Sequence, residues 1–139
     1  MGERNNQNRS DEMTNILEGA ELIYAYTWQN AVDDGTFIDV SETAREAGIK
    51  YPTAVTRNLW HSYIDPDPMP IAQDMNGRLW DVLHMFRLAI RSAEGSMMTF
   101  SVSFFNGKTH EKVELWAVCE AKGPNDPSPV ITIMLPSDY

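Results

Sequence analysis

Cysteine occurs once in the 139 residues, at position 119, so no disulfide closes within the chain and no paired-cysteine metal motif exists. Between Val118 and Glu120 in an alternating stretch, Cys119 is expected to pack as a small apolar residue rather than to react. No apolar run is long enough to span a bilayer. The opening "MGERNNQNRSDEM" has no apolar core of the kind a secretory signal needs, so export by that route is not indicated and a cytoplasmic location is expected by default. Catalytic signatures are also missing: no HExxH, no phosphate-binding glycine loop and no nucleophile elbow occurs. No cofactor or metal is therefore expected. Positive charge is scarce, with 11 Lys and Arg against 20 acids for a net of −9. None of the 11 falls between Asp11 and Glu42, where Asp11, Glu12, Glu18, Glu21, Asp33, Asp34, Asp39 and Glu42 stand uncompensated. A field of that sign repels nucleic acid and attracts basic surfaces, although a solvated acidic face that merely keeps the protein soluble would look the same.

What remains is an ordinary globular composition, 42% hydrophobic and 22% charged, enough for one domain with its own core. Residues 1–12 are polar and aperiodic and are expected to form a mobile tail, with a single domain over 13–139. Ile16, Leu17, Ala20, Ile23 and Tyr24 recur at helical spacing but Gly19 interrupts them, which predicts a short or broken helix. "TWQNAVDDG" predicts a compact helix capped by Thr27 and ended by Gly35. Thr36 to Val40 is expected to be extended, Ser41 to cap a helix ended by Gly48, and Thr53 to cap a third helix through Val55, Leu59, Trp60, Tyr63 and Ile64.

The stretch around which the chain is organised is "GRLWDVLHMFRLAIRSA", Gly77 to Ala93. Leu79, Val82, Leu83, Met85, Phe86, Ala89, Ile90 and Ala93 fall on one broad arc and Asp81, His84, Arg87 and Arg91 on the opposite sector, with Trp80 and Leu88 breaking the division. Beyond it the period changes to two. Met98, Phe100, Val102 and Phe104 alternate in one strand and Val113, Leu115, Ala117 and Cys119 in the next, joined at Asn106-Gly107. Val130 to Leu135 predicts a third. The expected fold is α+β, with short N-terminal helices and a central amphipathic helix packed on a C-terminal three-stranded antiparallel meander. Its last strand would leave an open edge, so a homodimer through that edge is expected unless the N-terminal segment covers it.

Two stretches invite sharper functional readings. "TAREAGIKYPTAVTRNLW", residues 43–60, looks like a helix-turn-helix, with Ala44, Gly48 and Ile49 at the small, turn and apolar positions. Its second helix fits poorly: the register set by Gly48 puts Ala54 and Arg57 where buried apolar residues belong. The acidic segment upstream would face the phosphates, so direct nucleic-acid binding is disfavoured. Of the histidines, His84 lies three residues after Asp81 on the central helix, close enough for a bond that would orient its ring in a small enzyme.

Three blocks, "DVSETAREAGIKYPTAVTRNLW", "GRLWDVLHMFRLAIR" and "PVITIMLPSDY", in this order, resemble a family of small bacterial and mobile-element proteins grouped as a domain of unknown function. The resemblance implies one compact domain, no catalytic residue, and a mobile-element setting in which small acidic proteins inhibit restriction or CRISPR defence. The functional expectation is thus a non-enzymatic acidic protein-interaction module engaging a basic, nucleic-acid-handling partner through Asp33, Asp34, Asp39 and Glu42 and through Trp80, His84, Arg87 and Arg91. A helix-turn-helix-like DNA-binding regulator and a small enzyme using His84 are the alternatives.

Overall fold

The computed structural model describes residues 26–92 and 95–139. The expected tail over 1–12, the broken helix on Ile16 to Tyr24, and Ala93 lie outside the described residues.

Helix α1, Trp28–Asp33, starts where Thr27 and Asn30 cap each other: Thr27 Oγ1 accepts from Asn30 N at 3.0 Å and Asn30 Oδ1 accepts from Thr27 N at 3.1 Å. Six residues do not hold a helix alone. Burial of Trp28 and Ala31 holds it, and the Trp28 indole Nε1 donates to Thr132 Oγ1 at 3.1 Å. After Gly35, at φ +86°, come β1 (Phe37–Asp39), α2 (Ser41–Glu46) and β2 (Thr53–Thr56). A single helical turn, α3 (Arg57–Leu59), runs into a π-helical turn, Trp60–Ile64. Helix α4, Met75–Ala89, is capped by Asp74, whose carboxylate accepts from Gly77 N at 2.6 Å, and tightens into a 3₁₀ turn, Ile90–Ser92. Strands β3 (Met97–Phe105), β4 (His110–Gly123) and β5 (Asp126–Met134) follow, then a 3₁₀ turn, Pro136–Asp138.

The expected three-stranded meander is corrected here. One five-stranded mixed sheet forms in the order β1-β2-β5-β4-β3, with β2 and β5 parallel and the other neighbours antiparallel. The reason lies in β5, where Val130, Ile131, Thr132, Ile133 and Met134 are all buried. A strand apolar on both faces belongs in a sheet's interior, so the expected open edge at β5 does not exist.

The partner that covers β5 is β2, and with it the expected helix pair over residues 43–60 gives way to helix, strand and helical turn. Thr53, Ala54, Val55 and Thr56 are all buried. β-branched residues pointing alternately to two covered faces suit a strand better than a helix. The helix cap moves from Thr53 to Thr56, whose hydroxyl accepts from Leu59 N at 3.3 Å.

Helix α4 lies on one face of the sheet, burying Leu79, Val82, Leu83 and Phe86 against Phe100, Val102, Leu115, Ile131 and Ile133. On the other face α1 covers a smaller cluster of Trp28, Ala54 and Val130, with Val32 and Phe37 beside it. The Asn106-Gly107 hairpin forms as expected: Asn106 N donates to Thr109 O, and its side-chain oxygen accepts from Lys108 N and Thr109 N, each at 3.0 Å.

One cation is built into the frame. Arg78 is 4% exposed; its Nη1 donates to Tyr63 O at 2.7 Å, its Nε to Gln73 Oε1 at 3.3 Å and its Nη2 to Phe105 O, while the guanidinium lies 5.3 Å from the Phe104 ring centroid. The clamp joins the π-helical turn, α4 and the end of β3.

Candidate functional site

Residues 80, 84, 87 and 91 are spaced to share one stripe of a helix, and Trp80, His84, Arg87 and Arg91 are all exposed on the outer side of α4 and its terminal turn. Large apolar side chains accompany them, Trp80 at 40%, Leu88 at 42% and Ile90 at 44% exposure. Met85 and Ile90, expected in the core arc, are corrected to the surface. The arc is wider than the contact the sheet offers, and Met85, one heptad on from Arg78, lies on the flank that looks past the β3 edge.

At its C-terminal end this stripe meets the turn between α2 and β2. Gly48 takes φ +95°, and the Arg87 guanidinium lies so close that a Cβ at position 48 would approach its Nε to 2.7 Å. Two adjoining depressions open there. One, of about 230 Å³, has Lys50, Arg87 and Arg91 on its rim above Phe86 and Ile131; the other, of about 240 Å³, runs between Tyr51, Ile90, Met97 and Cys119. Among the described residues no Asp or Glu lines either, and Lys50, Arg87 and Arg91 form no ion pair. Three of the chain's 11 basic residues thus meet at one groove. Sequence reasoning missed Lys50 and Tyr51, because the closure of their turn onto α4 is long-range and no local period signals it. Cys119 is exposed, contrary to the expectation that it packs inside. β4 runs past its pairing with β3, which ends at Met97 opposite Val118, and Cys119 stands beyond the helix's cover.

The four acidic candidates sit elsewhere, along α1, β1 and α2, and all are exposed. Asp33 accepts from Gln29 Nε2 at 2.9 Å and Asp39 from Ser41 N at 2.9 Å and Ser41 Oγ at 2.5 Å. Asp34 accepts from the Tyr26 hydroxyl and from Thr36 N at 2.9 Å, and these bonds hold its carboxyl below the ordinary aspartate range, while the bond to Asp34 raises the Tyr26 phenol. Three of the four therefore order their own turns, while Glu42 makes no such bond. The structure joins Trp80, His84, Arg87 and Arg91 into one surface and sets Asp33 and Asp34 apart from it, since α1 lies on the far side of the sheet from α4, whereas Glu42 is carried by α2, whose Ala44 packs in the same core as α4.

The histidines do not converge with other reactive groups. Asp81 and His84 are both exposed and share no hydrogen bond, His61 is exposed, and the His110 ring rests on Phe105 with centroids 5.3 Å apart. Among the described residues no three of His, Cys, Asp and Glu gather as metal ligands, and no helix is long and apolar enough to cross a membrane.

With this geometry in place, comparison with known proteins assigns the chain by sequence. It belongs to the family of unknown function DUF6573, whose profile matches residues 13–139. Neither a curated protein nor a solved structure matches it.

Proposed function

We propose that this member of the family is a protein-binding module that docks a partner along the outer stripe of α4 and the groove at its end, with the acidic α1–β1–α2 edge steering a basic surface into place. The observation that carries this reading is the company of exposed Trp80, Leu88 and Ile90 with Arg87 and Arg91, free of ion pairs among the described residues. Trp and Arg are the residues on which interface energy concentrates, and apolar groups rimmed by charge mark contact sites. The −9 charge supports fast, salt-sensitive association with a basic partner more than tight packing.

Affinity capture from the native host, read by mass spectrometry at low and physiological salt, tests this. A doubly substituted W80A/R91A chain is expected to stay folded and lose the captured partner at both salts. Replacing Asp33, Asp34, Asp39 and Glu42 by amides is expected to weaken capture chiefly at low salt. Retention of the same partner by both variants would overturn the reading. Micromolar or tighter binding of duplex DNA at physiological salt would favour a DNA-binding regulator instead. The finer form of the proposal, an inhibitor of a nucleic-acid-handling defence complex, is supported by the acidic charge and by the mobile-element setting that the resemblance implies. Phage plating on cells with active restriction or CRISPR interference, with and without the chain, tests it.

A further inference from the structure

The sheet has two outer strands, and they differ. β1 is three residues long and ends in Asp39, a short and charged edge of the kind that discourages pairing. β3 is nine residues, "MMTFSVSFF", with neither a charge nor a proline. In an antiparallel pair, alternate residues direct their main-chain groups to the neighbouring strand. Asn106 N donates to Thr109 O at the closed end of the β3–β4 hairpin and Cys119 N donates to Ser96 O at the open end, so the even-numbered residues of β3 bond to β4. The N–H and C=O groups of Met97, Thr99, Ser101 and Ser103 consequently point outward. The last outward carbonyl, that of Phe105, is held by Arg78. Among the described residues, none of these four has a bond beyond those of the sheet.

We propose that β3 pairs antiparallel with β3 of a second copy, about a two-fold axis through Ser101. In that register Thr99 meets Ser103 of the second copy and Ser101 meets its own counterpart. All three are outward-facing positions, so each pair exchanges two main-chain bonds, and the ladder stops where Arg78 already holds Phe105. On the core side Phe100 meets Val102 of the second copy, and Met98 meets Phe104, continuing an apolar layer across the join. The uncharged strand is what suits a second copy: two chains of −9 can approach at this edge without setting like charges opposite each other. The axis stands perpendicular to the sheet, so both α4 helices lie on the same side. Paired strands are about 4.8 Å apart, which brings together the flanks carrying Met85 and Leu88, at 38% and 42% exposure. This inference is separable from the partner-binding proposal: Leu88 and Met98 border both surfaces, but Trp80, Arg87 and Arg91 take no part in the pairing.

Sedimentation equilibrium of the full chain, from low to high micromolar concentration and at two salts, is the test. The wild type is expected to move from one to two chain masses, more readily at high salt, where repulsion between the −9 chains is screened. Ser101→Lys, which adds like charges across the axis and leaves the β3–β4 ladder untouched, is expected to hold the chain at one mass with an unchanged circular dichroism spectrum. An equal mixture of the Ser101→Lys and Ser101→Asp chains is expected to recover the double mass. Met85→Lys, at an exposed helix position, is expected to weaken pairing without affecting the fold. A wild type that stays at one mass throughout, a dimer indifferent to Ser101→Lys, or association that weakens as salt rises would overturn the proposal.

Discussion

Replacing Arg78 by Met removes a charge from the interior while keeping most of the stem that packs beside it. Three hydrogen bonds go, to Tyr63 O, Gln73 Oε1 and Phe105 O. Bonds from a charged donor contribute roughly 1.5–3 kcal/mol each, a gross loss of about 4.5–9 kcal/mol. Set against this, the desolvation that lowers the Arg78 pKa is relieved, and an apolar side chain is well suited to the vacated space. Loss of a buried hydrogen-bond network belongs to the larger single-residue effects, so about 2–4 kcal/mol of net destabilisation is expected. For a chain of this size roughly 3 °C accompanies each kcal/mol, so the melting temperature should fall by about 6–12 °C. Arg78→Lys, retaining the charge but not the fork that reaches three acceptors, should fall between the two. Thermal unfolding followed by circular dichroism measures all three. A Met variant melting within about 2 °C of wild type, well under the shift expected for a lost buried network, would refute the view that this clamp fastens the helix to the sheet.

Phe86 is 2% exposed with its ring centroid 5.8 Å from that of Phe100, so Phe86→Ala should cost about 3–5 kcal/mol in denaturant unfolding, whereas exposed Arg91→Ala should stay within about 0.5 kcal/mol. Gly48→Ala forces a side chain into a left-handed conformation and against Arg87; a loss of about 1–2 kcal/mol is expected from the backbone alone, and an unchanged melting curve would contradict the geometry. Asp34, through Tyr26 and Thr36, and Asp126, through Ser128, have folded pKa values below their unfolded ones. The stability they contribute is present above the ordinary aspartate range and is lost as pH falls through their lowered values. Melting across acid pH should therefore show Asp34→Asn losing less stability than wild type between neutral and strongly acid solution.

Local signals made α1, α2, α4 and the β3–β4 hairpin readable in advance: the Thr27–Asn30 cap, the left-handed glycines 35 and 48, the apolar arc from Leu79 to Phe86, and Asn106-Gly107. What went astray was decided by distant contacts. Val55, Leu59, Trp60, Tyr63 and Ile64 are spaced as on a helix, yet Thr53 to Thr56 pair with Ile131 to Ile133 and with β1, and that tertiary demand overrides the local period. The same holds for the candidate site. Trp80, His84, Arg87 and Arg91 lie on one element, so their common exposure follows from helical geometry. Lys50 and Tyr51 join them only because a glycine turn folds back onto the end of α4. Arg78 shows the converse, a charged residue whose burial no pattern announces, since its acceptors are main-chain oxygens at positions 63 and 105.

The place of β5 between β2 and β4 has a consequence for how the chain acquires its shape. β1–β2 and β3–β4 are each local in sequence, but nothing in the sheet joins these halves until Asp126–Met134 has slid between them. The joining contact spans Thr53 to Ile131, a separation that makes closure entropically slow. During synthesis the inner borders of β2 and β4 therefore have no partner strand until β5 leaves the ribosome. A ribosome stall ahead of residue 126 would leave those borders exposed to the aggregation that unpaired strands invite.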